Sequence, residues 1–120
     1  MFIKLDKEYE VKCTLGVIRD IEKGFNKAFY TLMGEIGKLT TSEQMKFLFY
    51  GFRKINPEIS EQQFYALCED NLGLGQLTDY LETYLYQLQY PGMSKEEIDQ
   101  IMQKKLQAAG KTKGSTGTNL

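Results

Sequence analysis

The feature that most constrains the fold is a series of helix start and stop signals. Thr40–Glu43, Ser60–Gln63 and Ser94–Glu97 each have the spacing of a capping box, in which two side chains satisfy the free amides of a first helical turn. Asn56-Pro57 and Pro91-Gly92 end helices, because the residue before proline avoids the helical region and glycine favours turns. These signals divide most of the chain into short helices.

Apolar residues recur at helical spacing between these signals. Thr14 is the predicted N-cap of the first helix and Gly24 its predicted end, and Ser42 is an alternative to Thr40 as a cap. The predicted apolar stripes are Leu15, Ile18 and Ile21, with Val17 beside them; Phe25, Phe29, Leu32, Met33 and Ile36; Met45, Leu48, Phe49, Phe52 and Ile55; Phe64, Leu67 and Cys68; Leu74, Leu77, Leu81, Tyr84, Leu85 and Leu88; and Ile98, Ile101, Met102 and Leu106.

The first 13 residues alternate between apolar and polar side chains, which predicts a β-hairpin with one apolar face. A lone hairpin is marginal in water, so this face must rest on the helices. We therefore expect a mainly α, small α+β fold: an N-terminal β-hairpin, then about five to six short helices in a compact bundle. The predicted domain is 1–110, with the hairpin at 1–13, a helical core at 14–90, a C-terminal helix at 94–110 and a flexible tail at 111–120.

Composition argues against several functions. The chain has no histidine, the usual general base and a common metal ligand, and its two cysteines, Cys13 and Cys68, lie far apart on apolar faces. We expect no enzyme, no catalytic residue, no cofactor, no metal site and no small-molecule substrate. The net charge is −1 and no long apolar run is present, so we expect no nucleic-acid or membrane partner and a cytoplasmic protein.

The chain is rich in aromatic residues, with 8 Tyr and 7 Phe, and their positions are informative about possible binding surfaces. Several lie off the main stripe of their helix, which indicates either a helix central in its domain or one covered by a partner. The last helix, between a Pro-Gly break and a polar tail, is a second candidate surface; it docks either on its own domain or on a neighbour. The off-stripe residues are Phe47, Tyr50, Tyr65, Tyr86 and Tyr90; the predicted protein-binding residues are Phe47, Tyr50, Tyr65, Tyr86, Ile98, Ile101 and Met102.

The order of these parts resembles the tail assembly chaperones of long-tailed bacteriophages and prophages of Gram-positive bacteria. The resemblance covers roughly residues 1–90. It rests on the N-terminal segment 5–23, the segment 25–32, the helix 43–52 and the helix-breaking segment Asn56–Ser60. It implies a non-enzymatic protein that binds the tape measure protein and helps recruit tail tube subunits in the cytoplasm of the bacterial host, and that is absent from the mature virion. It also implies self-association and a longer frameshifted form, of which this chain is the short product.

Two alternatives remain at this point. One is a small phage-encoded helical regulator that binds a host protein or DNA, although Arg19 and Arg53 are the chain's two arginines. The other is a minor tail structural or completion protein, which would be found in purified particles. The resemblance carries no active-site motif, so no residue role is transferred from it.

Overall fold

A computed structural model describes the backbone of residues 1–115 and the side chains through Gln107. It confirms the predicted fold class, an N-terminal β-hairpin followed by short helices. The elements are β1 (Phe2–Lys4), β2 (Glu8–Glu10), α1 (Leu15–Phe25), α2 (Phe29–Gly34), a 3-10 turn (Ile36–Lys38), α3 (Thr41–Ile55), α4 (Glu61–Asn71), α5 (Leu74–Gln89) and α6 (Lys95–Ser115).

The hairpin presents its apolar face to the helices, as its alternation predicts. The strands are antiparallel with Ile3 opposite Tyr9, and both side chains are buried. Beyond the strands, the amide of Lys12 donates to the carbonyl of Gly51 on α3 at 3.0 Å. The amide of Asn56, at the end of α3, donates from its side chain to the carbonyl of Glu10 at 3.0 Å. The hairpin is thus attached to α3 at two points.

Helix α3 lies at the centre of the core. It packs against α1, α4, α5 and β2, and seven of its residues are buried. The ring of Phe52 lies 4.4 Å from that of Phe64 on α4 and 5.3 Å from that of Tyr9 on β2. On another side of α3, the ring of Phe47 lies 4.9 Å from that of Phe25 on α1. A helix surrounded in this way needs apolar side chains around most of its circumference.

All three predicted capping boxes are present. The hydroxyls of Thr40, Ser60 and Ser94 each accept from the amide three residues on, at 3.1 Å in every case. The side chains of Glu43, Gln63 and Glu97 accept from the cap amides in return. Thr40, and not the alternative Ser42, is the cap of α3.

Two predicted helix ends are wrong. α1 continues through Gly24 to Phe25 and ends at Asn26, whose left-handed backbone (φ 53°) supplies the C-cap. Gly24 instead lies beneath the Tyr50 hydroxyl, so closely that a β-carbon there would collide with the ring. α6 continues past the predicted end at Gly110 to Ser115. The remainder of the predicted tail, 116–120, lies outside the described residues.

Three apolar residues predicted for the core are exposed instead. Leu15, Ile55 and Leu74 are 77%, 37% and 61% exposed, and each is the first or last residue of its helix. A helix end extends beyond the neighbour on which the middle of the helix packs, so an apolar residue there is less covered than one further into the helix. Val17 and Ile21, which lie further into α1, are fully buried.

Candidate protein-binding groove

The predicted binding residues on α3 face the chain's own core. Phe47 has no exposed surface and Tyr50 is 8% exposed. Tyr50 packs between the ring of Phe25 on α1 and the guanidinium of Arg53, whose Cζ lies 4.9 Å from the ring centre. Their off-stripe position therefore reflects central burial, the first of the two interpretations, and we remove both from the candidate surface.

Tyr65 and Tyr86 are half-buried and lie on different helices, α4 and α5. The Tyr65 hydroxyl donates to Glu61 one turn earlier on α4. Burial, followed by this hydrogen bond to a carboxylate, raises the pKa of Tyr65 well above its ordinary value. Tyr65 is therefore an ordinary neutral phenol whose hydroxyl already has a partner in its own helix.

The predicted residues of α6 have three different environments. Ile98 is buried, Ile101 is half-buried and Met102 is 37% exposed. Ile98 therefore docks the start of α6 on its own chain, while Met102 faces solvent. The structure does not bring the seven predicted residues together into one surface.

An apolar groove lies elsewhere, where α1, α2 and the end of α5 meet. It has a volume of about 360 Å³. Leu15 and Tyr30 line it and are 77% and 75% exposed, so two large apolar side chains stand in water beside a cavity. Exposed apolar patches beside a groove are typical of protein-binding sites. The groove is lined by Leu15, Ile18, Glu22, Ala28, Phe29, Tyr30, Leu88, Gln89 and Tyr90.

Glu22 holds one wall of this groove in place. The N-cap of α2 is Ala28, which has no side chain able to cap the helix. The carboxylate of Glu22 on α1 takes that role, because it accepts from the amide of Phe29 at 2.9 Å. This bond fixes the start of α2, and with it Phe29 and Tyr30, against α1.

Basic side chains lie near the groove at two places. A polar depression that shares Glu22 and Ala28 with the groove is also lined by Arg19 and Lys23 of α1. Near another lining residue, Lys105 of α6 donates to the hydroxyl of Tyr90. An apolar segment flanked by carboxylates would therefore be complementary to the groove in both shape and charge.

The groove residues were only partly visible in the sequence. The predicted stripe joins Leu15 to Ile18 and Ile21, with Val17 beside it. In the structure Val17 and Ile21 are the buried residues of α1, and Leu15 lies roughly 200° around the helix axis from Val17, outside the buried face. Tyr30 follows the buried Phe29 directly and falls in no stripe. No pattern among neighbouring residues in the sequence predicts that Leu15 and Tyr30 both meet the end of α5.

The fold covers the two cysteine thiols to different extents. Cys68 is buried, and burial raises the pKa of its thiol to about 12; burial also raises the pKa of the half-buried Cys13. No cluster of three or more potential metal ligands occurs in the described part of the chain. Within the same part, none of the helices has the length and apolar character needed to cross a membrane.

No family model, no curated protein and no solved structure matches this chain.

Proposed function

We propose that this chain is a non-enzymatic tail assembly chaperone of a long-tailed bacteriophage or prophage of Gram-positive bacteria. It binds the tape measure protein in the host cytoplasm and helps recruit tail tube subunits during tail assembly. The sequence resemblance motivates this assignment, and the apolar groove between α1, α2 and α5 is where we place the client.

The observation that carries the proposal is the pair of exposed apolar side chains at the groove. Leu15 and Tyr30 keep about three quarters of their surface in water, at 77% and 75%. Covering an apolar side chain of this size on binding contributes roughly 1.5–3 kcal/mol. A chaperone that keeps a long helical protein in solution needs a surface of this kind.

The groove indicates the chemistry of the bound segment. A cavity of about 360 Å³ accommodates a few apolar side chains, such as those spaced i, i+3 and i+4 on one face of a helix. Arg19, Lys23 and Lys105 lie around it, which favours Asp or Glu beside the apolar residues of the client. The proposed client segment is an amphipathic helix with acidic flanks.

The test is affinity capture of the tagged chain from induced prophage-bearing cells, followed by mass spectrometry. We expect a very long helical protein together with tail tube subunits. A double variant, Leu15→Ser with Tyr30→Ser, should recover at least about tenfold less of the long protein. The matched control is Leu74→Ser, because Leu74 is also an exposed leucine, at 61%, but lies outside the groove.

Each other outcome points to a different function. Recovery of only a host enzyme or nucleic acid would reject the chaperone and favour a helical regulator. The chain's presence in purified virions would favour a minor tail component. Equal recovery by the double variant and by Leu74→Ser would place the client on another surface.

A further inference from the structure

The charges of this chain are unevenly distributed along its sequence. Between Lys54 and Lys95 there is no lysine or arginine, whereas the segment carries six acidic residues. All six are exposed: Glu58, Glu61, Glu69, Asp70, Asp79 and Glu82. The rest of the chain has more basic than acidic residues, so the net charge of −1 conceals an acidic surface on α4 and α5.

An apolar groove runs along one side of α4 within this acidic region. The four of its lining residues that belong to α4 lie at positions i, i+3, i+4 and i+7, which form one face of a helix. Ile59 and Leu67 are half-buried against the core, and Ala66 is exposed. We call this surface the α4 groove. Its volume is about 380 Å³, and its lining is Glu58, Ile59, Gln63, Ala66, Leu67 and Asp70.

The carboxylates of the α4 groove are not used within the chain. Glu58 precedes α4 and Asp70 lies in its last turn, so the two flank the apolar lining of the groove. Neither forms an ion pair with any residue whose side chain is described, and the ion pairs of that part of the chain involve no residue after Lys54. The groove thus combines an apolar lining with two carboxylates that no cation of the described chain neutralises.

The acidic residues at the end of α4 are unfavourably placed in the free chain. Glu69 and Asp70 lie in the last turn of the helix, which contains no basic residue. The carbonyl groups at the C-terminus of a helix bear a partial negative charge, so they repel carboxylates and attract cations. A cation from outside the chain would relieve this repulsion. The groove therefore favours a positively charged ligand.

The apolar lining and the length of the groove narrow the class of ligand. The six carboxylates repel nucleic acid and anionic membranes. A metal ion would leave the apolar lining uncovered, and no cluster of three or more potential metal ligands occurs among the described residues. The face from Gln63 to Asp70 spans about 11 Å of helix, or two turns. A second amphipathic helix of about this length would cover the apolar lining and place cations at both ends.

We propose that the α4 groove binds an amphipathic helix of a partner protein whose apolar face is flanked by lysine or arginine. The apolar residues of this helix cover Ile59, Ala66 and Leu67, and its cations approach Glu58 and Asp70. The partner differs from the proposed client, whose apolar face is flanked by carboxylates. The α4 groove shares no lining residue with the groove between α1, α2 and α5, so the inference does not rest on the proposed function.

The first experiment measures binding of designed peptides to the full chain by fluorescence anisotropy. The probe is a labelled peptide of about 18 residues, long enough to form a helix, with leucines on one face and lysines flanking them. We expect it to bind at least about tenfold more tightly than a shuffled peptide of the same composition. Raising the salt from about 0.1 M to about 1 M, which shortens the Debye length from roughly 10 Å to roughly 3 Å, should weaken binding at least about tenfold.

The second experiment compares two double charge variants of the chain. Glu58→Gln with Asp70→Asn should weaken binding of the probe about tenfold, because both flanking carboxylates are lost. Asp79→Asn with Glu82→Gln removes the same charge from exposed positions of α5 outside the groove. This control should weaken binding by no more than about twofold, the effect of a general loss of negative charge.

The third experiment places a cation in the groove itself. Ala66→Lys should abolish binding of the probe, because the new side chain covers the apolar lining and repels the lysines of the peptide. Thr83→Lys adds the same charge at an exposed position of α5 outside the groove and should change binding by no more than about twofold. Ala66 is exposed, so its replacement by lysine should leave the fold intact.

The stability of the free chain distinguishes a binding residue from a structural one. Asp70→Asn removes a carboxylate from the C-terminal turn of α4 and should raise the melting temperature of the free chain by about 1–4 °C. The same variant should bind the probe less tightly. A variant that merely damaged the fold would lower both the melting temperature and the affinity for the probe.

Equal binding of the ordered and the shuffled peptide would overturn the proposal, because it would show only a general attraction to an acidic surface. Equal effects of the two double charge variants would also overturn it, as would no binding of the probe. Sedimentation of the chain without peptide tests another occupant. Oligomers that dissociate on Glu58→Gln with Asp70→Asn would show that a second copy occupies the groove, and would overturn the proposal.

The two proposals fail separately. The Leu15→Ser, Tyr30→Ser chain retains the α4 groove and should bind the basic probe as the wild type does. Ala66→Lys retains the groove between α1, α2 and α5 and should capture the client as the wild type does. Loss of client capture therefore tests the chaperone function, and loss of probe binding tests the α4 groove.

Discussion

Helices α3 and α6 begin in the same way and end in very different surroundings. Both start with a complete capping box, Thr40 with Glu43 and Ser94 with Glu97. Seven residues of α3 are buried, whereas Ile98 alone is buried among the described side chains of α6. A local signal thus defines where each helix starts, and the neighbours decide whether the helix supports the core or projects from it.

The largest expected difference between the two helices comes from truncating one apolar side chain in each. Phe52→Ala should lower the free energy of unfolding by about 3–5 kcal/mol, because Phe52 is fully buried between Phe64 and Tyr9. Leu106→Ala should change it by no more than about 0.5 kcal/mol, because this side chain is 70% exposed. Urea denaturation measures both. Equal losses would contradict the view that α6 projects from the core.

A second contrast concerns space around the backbone. A β-carbon at Gly51 of α3 would lie 2.8 Å from Val11 Cγ1 and 2.9 Å from Tyr84 Cε1, and closer still to the Lys12 carbonyl oxygen. Gly51→Ala should therefore destabilise the chain by about 1–3 kcal/mol. Gly75→Ala on α5, where nothing lies within 4 Å, should stabilise it by up to about 1 kcal/mol. Thermal unfolding of both variants tests the close contact between the hairpin and α3.

Removal of the N-cap should affect the stability of the chain differently for a core helix, α4, and for the projecting helix, α6. Ser60→Ala deletes the cap of α4, which buries Phe64 and Cys68, and should cost about 1 kcal/mol of global stability. Ser94→Ala deletes an equivalent cap on α6 and should leave the global unfolding midpoint nearly unchanged. Hydrogen exchange should instead show faster exchange confined to the first turns of α6. A shift of the midpoint as large as that of Ser60→Ala would mean that α6 unfolds together with the core.

The smallest effect is a pH dependence at a partly exposed ion pair between α1 and α3. Lys54 Nζ lies 3.0 Å from Asp20 Oδ2, and Arg53 Nη2 lies 3.6 Å away, which joins α1 to the end of α3. The close contact with the Lys54 ammonium is the main cause that lowers the pKa of Asp20, and desolvation opposes it. The carboxylate is therefore easier to protonate in the unfolded chain. Its contribution is complete above the unfolded pKa of about 3.9 and is lost as pH falls through the lower folded value.

Asp20→Asn tests this ion pair directly. The variant should be less stable than the wild type at neutral pH by no more than about 1 kcal/mol, because the pair is partly exposed. The difference should disappear in acid, where the wild-type carboxylate is also neutral. The control, Asp79→Asn, removes an exposed carboxylate that forms no ion pair with the described residues. A difference between Asp20→Asn and the wild type that persists unchanged at low pH would show that the charge is not responsible.

The aromatic residues show where prediction from sequence stopped. Phe47 and Tyr50 lie off the main stripe of α3, and that position was equally compatible with central burial and with a partner surface. The structure resolves the alternatives because α1 packs on that side of α3, with the ring of Phe25 4.9 Å from Phe47. Helical periodicity reports which side of a helix is apolar. It does not report whether the cover comes from the same chain.

The amino-acid sequence by itself determined the elements of this protein: the hairpin, the three capping boxes and the breaks at Pro57 and Pro91. These depend on interactions between residues a few positions apart, which the order of residues states directly. Only the tertiary structure decided that α3 is central, that Leu15 and Tyr30 meet at a groove and that α6 projects from the core. Such features depend on which helix ends meet in space, and contacts between distant segments leave no periodic pattern in the sequence.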